Sequence, residues 1–136
     1  MEIREAKAEL KEYIDNKRYI ERKQEEIELL TEQINKVTAT YSDMPKGGSG
    51  NGKEDLIAKK IDLEREIYGY LIGLVEKRST IERTIQGLEA KYRNILDFLY
   101  IEGKTLVDFA AQEGYSYRQA TRLLREAYKY YAEARG

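Results

Sequence analysis

Four cations recur along one short stretch of this chain: Arg118, Arg122, Arg125 and Lys129. Between Tyr115 and Tyr131 they stand against a single acidic residue, Glu126, giving a local net charge of +3 in a chain of net −1. A guanidinium grips phosphate oxygens as a planar fork, and the same fork matches the O6/N7 edge of guanine. An amide such as that of Gln119 matches adenine in the major groove. The chemistry open to this set is recognition of an anionic duplex. The first residues of a recognition helix reach base edges, so Tyr117, Arg118, Gln119 and Thr121 are the expected base-reading group. Arg122, Arg125 and Lys129 are expected on phosphates, together with Ser116 and with Lys104 in the preceding turn. The competing reading is a small three-helix domain whose arginines are merely solvated.

Catalytic chemistry has little to work with. The chain has no Cys and no His, which removes thiol nucleophiles, disulfides, Cys/His zinc sites and the commonest acid–base side chain. Its carboxylates are spread along charged, helix-patterned segments, so no enzyme activity, metal or cofactor is expected. Gly47, Gly52 and Lys53 trace most of the phosphate-loop pattern G-x-x-x-x-G-K-S/T. Glu54 replaces its hydroxyl residue, however, and the stretch follows a helix where a buried strand is required. No nucleotide binding is expected.

The elements that must position the cations can be read locally. Lys91 to Tyr100 predicts a helix with Ile95, Leu96 and Leu99 inward, and Glu102-Gly103-Lys104 a turn. Thr105 starts a two-turn helix as its N-cap, with Asp108 three residues on and Leu106, Phe109 and Ala110 on the buried side. Gly114 can take the left-handed conformation that ends a helix. Ser116 then caps the last helix, with Gln119 as its capping-box partner and Tyr115 placed to staple onto Ala120. Two capped starts eleven residues apart with a glycine between them make a helix-turn-helix pattern. In the last helix, about 117–131, Ala120, Leu123, Leu124, Ala127 and Tyr131 are the expected inward residues.

Upstream lie two long amphipathic segments. Ala6, Tyr13, Ile20, Ile27 and Ile34 recur every seven residues in the first, 1–40, with Ile3, Leu10, Leu30 and Val37 alongside. Ile67, Leu74, Ile81, Leu88 and Ile95 do the same in the second, with Ile57, Leu71, Ile85, Tyr92 and Leu99 as companions. Such a repeat lays one stripe along a helix and calls for a partner helix. Between them, 41–53 contains Pro45 and four of the ten glycines and reads as a linker. The expected architecture is all-α: a long antiparallel, coiled-coil-like hairpin (1–40 and 54–87) followed by a helix-turn-helix domain (88–136). The stripes could pair within one chain or between two, and a homodimer would present two recognition helices. Gly69 and Gly73 could let a neighbouring helix approach closely. No apolar run nears the roughly 20 residues needed to span a bilayer, and the N-terminus lacks an apolar signal core. A cytoplasmic protein with no membrane partner is expected.

The run RNILDFLYIEGKTLVDFAAQEGYSYRQATRLLREAY resembles the DNA-binding fourth region of bacterial sigma factors. Arg93, Leu96, Glu102, Gly103, Thr105, Ala110, Gly114, Ser116 and Ala127 fall on matching positions. Asp108, Phe109 and Tyr128 stand at Glu, Ile and Leu positions, and Leu123 where many members carry a basic residue. Over nearly its full length the chain resembles the ArpU/RinA-type phage and prophage transcriptional regulators. Ser42-Asp43-Met44-Pro45-Lys46-Gly47-Gly48 and Tyr100-Ile101-Glu102-Gly103-Lys104-Thr105 fit that group. The resemblance implies sequence-specific binding of double-stranded DNA and control of phage gene transcription, with host RNA polymerase as a candidate second partner. Nothing in it resembles the sigma segments that grip the polymerase core or melt the promoter. The other class to weigh is a non-enzymatic phage structural or DNA-packaging adaptor that uses a small helix-turn-helix.

Overall fold

The computed structural model describes residues 1–42 and 51–136, with side chains for 1–39 and 52–136. The described residues form five α-helices: α1 (Ile3–Ser42), α2 (Asn51–Gln86), α3 (Ala90–Leu96), α4 (Leu106–Glu113) and α5 (Tyr117–Arg135). Among the described residues there is no strand, so the all-α expectation holds. Helix α1 runs on to Ser42 and α2 starts at Asn51, so helix takes in both ends of the 41–53 stretch. Gly52 and Lys53 of the phosphate-loop-like pattern lie in the first turn of α2, while Gly47 falls outside the described residues. No helix among the described residues is long and apolar enough to cross a membrane.

The chain forms two compact units, one made of Met1–Asn16 with Leu74–Gly136, the other of Lys17–Gly73. In the second unit Tyr19 of α1 meets α2 at Glu66, to which its hydroxyl donates, and at Tyr70, with ring centroids 5.1 Å apart. Further along α1, Leu29, Leu30 and Gln33 share an open groove with Lys59, Asp62 and Leu63, which lie earlier on α2. The two helices therefore run antiparallel. Ile20 and Ile67 are buried there, while Ile27, Leu30, Ile34 and Val37 are half covered.

The first unit holds the main core. Helix α1 contributes Ala6, Leu10 and Tyr13, α2 contributes Ile81 and Ile85, and α3 contributes Tyr92, Ile95 and Leu96. Phe98 follows in a π-helical turn, Asp97–Ile101, that continues α3. The wider turn is closed by Glu102 N–H donating to the Asp97 carbonyl at 2.9 Å. From α4 come Phe109 and Ala110, and from α5 Ala120, Ala127, Tyr128, Tyr131 and Ala132. The α1 stripe is thus shared between two tasks, since its first turns meet α2 and α5 within this unit. Ile3 differs from its expected companion role and is exposed, one residue into the helix. Ile14, outside the seven-residue series, is buried and approaches Gly103, whose φ of 74° needs a residue without a side chain.

Candidate nucleic-acid interface

The turn between α4 and α5 is built by local hydrogen bonds that its residue types dictate. Thr105 takes an extended conformation and its Oγ1 accepts from Asp108 N–H at 3.1 Å, which starts α4. Gly114 ends the helix at φ 71°, ψ 25°, and Tyr115 N–H donates to the Ala110 carbonyl at 2.8 Å. This six-to-one bond, with the Gly114 N–H to Ala111, is a Schellman closure. Two residues later Ser116 Oγ accepts from Gln119 N–H at 3.1 Å, while Ser116 N–H donates to Gln119 Oε1 at 2.8 Å. Both arms of the capping box form. Tyr115 lies edge-on to Phe109, with ring centroids 6.2 Å apart, so its ring packs on α4, a contact the local pattern did not mark. Phe109 in turn meets Phe98 at 5.4 Å.

Helix α5 is strongly two-sided. Ala120, Ala127 and Tyr131 are buried as expected, with Leu123 and Leu124 half covered. Tyr128 and Ala132 are buried as well, which widens the inward face. Both continue the four-residue spacing from Leu124, so the signal was present in the sequence. The Tyr128 hydroxyl hydrogen-bonds that of Tyr100, and burial raises both phenol pKa values. Tyr92 stacks on Tyr130 at 4.6 Å and donates to Glu126 at 3.2 Å, engaging the one carboxylate within the basic stretch.

On the opposite side, Arg118, Arg122, Arg125 and Lys129 recur at spacings of four, three and four, which aligns them along one outward stripe. Tyr117, Arg118, Thr121, Arg122 and Arg125 line a shallow concavity of about 450 Å³. Tyr117 is 61% exposed at its rim. Among the described residues none of Arg118, Arg122, Arg125 or Lys129 is in an ion pair. Lys104 and Lys129 each rest near an aromatic ring, Lys104 5.1 Å from Phe98 and Lys129 6.0 Å from Tyr130.

Three of the expected contact residues are already engaged. Gln119 uses its amide oxygen in the capping box, so a bidentate adenine contact would have to break that cap. Ser116 is committed to the same box. The Thr121 hydroxyl donates to the Tyr117 carbonyl at 2.8 Å, leaving its lone pairs and methyl group for an approaching partner. Sequence reasoning also missed how the far end of α5 is held. Glu9 of α1 accepts from Arg135 at 2.6 and 3.0 Å and from the Tyr131 hydroxyl at 2.8 Å. Among the described residues no cluster of carboxylates is arranged to hold a metal ion. Comparison with family models, curated proteins and solved structures finds no match to this chain.

Proposed function

We propose that this protein is a sequence-specific binder of double-stranded DNA that regulates transcription, of the ArpU/RinA phage-regulator type its sequence resembles. The observation that carries the reading is the unpaired cationic stripe of α5, set on a helix whose start is fixed by a complete capping box. An arginine row without carboxylate partners is poised for phosphate oxygens, where charge-assisted forks form without first breaking an internal pair. The concavity around Tyr117, Arg118 and Thr121 lies at the N-terminal end of α5, the end that enters the major groove in helix-turn-helix proteins. Arg118 and Tyr117 are the leading base readers. Thr121 is a methyl and acceptor contact, and Gln119 serves mainly to hold the cap. Arg122, Arg125, Lys129 and Lys104 grip the backbone.

The test is selection from a random duplex pool at two salt concentrations, followed by affinity measurements on the enriched site. Arg118→Ala is expected to cost about 1–3 kcal/mol on the enriched site and to relax preference at one base pair. Arg125→Ala is expected to weaken enriched and scrambled duplexes alike and to lower the log–log salt slope by about 1. Equal affinity of the wild-type chain for both duplexes at both salt concentrations would falsify sequence-specific binding.

A further inference from the structure

We infer that the second compact unit pairs with a second copy of this chain through the outer face of α2. Among the described residues of Lys17–Gly73 only Ile20 and Ile67 are buried apolar side chains. Two helices with so little buried between them lack the second layer that a helical unit needs. The missing layer is offered on α2: Ile57, Ile61, Tyr68, Leu71 and Ile72 are exposed, Tyr68 by 66% and Ile72 by 50%. Their spacing of four, seven, three and one keeps them on one side of the helix, with Leu71 at the edge next to buried Ile67 and the other four turned away from Ile67 and half-buried Leu63.

Three observations point to a copy of the same chain as the occupant. The first is area. Those five side chains expose roughly 500 Å² per copy, so twofold pairing removes about 1,000 Å² of apolar surface, which is what a homodimer interface of standard size contains. The second is charge. On this side of α2 Lys60 lies 3.9 Å from Glu64 and Arg65 is the one further charge, while Lys59, Asp62 and Glu66 are on the side that meets α1. A nearly neutral face pairs with itself with little repulsion, whereas a face built for a strongly charged partner would carry the opposite charge. The third is Gly69. It sits mid-helix beside this stripe, and a Cβ built there meets nothing within 4 Å. The chain itself makes no use of the missing side chain, although an interior glycine weakens a helix. A second backbone packed close against α2 would use it.

The experiment is sedimentation equilibrium of the full chain without DNA, from 1 to 100 micromolar, so its outcome is independent of the DNA-binding reading. The expected result is a dimer of twice 15.9 kDa. Ile61→Glu with Ile72→Glu should raise the dimer dissociation constant at least 100-fold while helicity by circular dichroism is kept. Gly69→Leu is the second arm, because leucine favours the helix but occupies the close approach: thermal stability of the monomer should rise while dimerisation weakens. A wild-type monomer at 100 micromolar overturns the inference. So does a many-subunit ring, or a dimer that survives both variants but is broken by Leu29→Glu on α1.

Discussion

Glu9 holds a position that no local pattern marks. Its carboxylate takes both donors of Arg135 and the Tyr131 hydroxyl, joining the first turns of α1 to the last turn of α5. The hydrogen bond from Arg135, seconded by that from Tyr131, keeps its carboxyl below the ordinary value of 4.5 despite partial burial. A carboxyl with a lowered folded-state pKa stabilises the fold above its unfolded value, and that contribution is lost as pH falls through the folded value. Asp97 works in the opposite sense, since burial raises its pKa and disfavours its charged form near neutrality. Glu9→Gln keeps the shape and removes the charge. It is expected to cost about 1.5–3 kcal/mol near pH 7, the range for hydrogen bonds to charged groups. The difference from wild type should shrink as pH falls below 4.5. Urea midpoints measured from pH 7 to pH 3 would show it, and a difference that stays constant with pH would rule out the ionic role.

The boundaries of α4 and α5 were legible because each rests on an interaction spanning three to five residues. Thr105 and Ser116 needed only Asp108 and Gln119, and Gly114 needed only its own lack of a side chain. The π-helical turn after α3 was not legible, because it is a closure between Asp97 and Glu102 that no residue type specifies. Nor was the engagement of Gln119 as a cap instead of a free base reader, since both roles use the same amide. Gly114 allows a clean separation of conformation from packing. Its φ is 71° and a Cβ there would meet nothing within 4 Å, so Gly114→Ala carries strain but no clash. The expected loss is about 1–2 kcal/mol, the usual cost of a left-handed residue with a side chain. Thermal unfolding should show that loss, with the mutant's circular dichroism spectrum still native at low temperature. A neutral effect would mean that the α4–α5 turn has another conformation available at no cost.

At the scale of the chain, a seven-residue stripe states that a helix is covered but not by what. The periodicity of 1–40 predicts half of a helical hairpin, and α1 does pair with α2, but Ala6, Leu10 and Tyr13 are also fully buried in the unit that carries α4 and α5. The glycine at 87 does coincide with the end of α2 at Gln86, but the compact unit crosses that break to take in Ile81 and Ile85. Long-range partnership of this kind leaves no trace in a single sequence, because any apolar side chain of similar volume would satisfy the same repeat. It has a consequence for where the first compact unit can be cut. The fragment 88–136 lacks all five of those buried side chains, each contributing about 1–3 kcal/mol of burial. Their sum is comparable to the whole stability of a small domain, roughly 5–15 kcal/mol. Fragment 88–136 is therefore expected to show no cooperative melt, little tyrosine dispersion by NMR and no duplex affinity above the non-specific level. A chain that keeps 1–16 and 74–136, joined across Lys17–Gly73 by a short Gly/Ser linker, should melt cooperatively, because Glu12 and Lys77 already lie 2.8 Å apart near the junction. Cooperative unfolding of 88–136 alone, within a few degrees of the intact chain, would show that the first turns of α1 decorate this unit without supporting it.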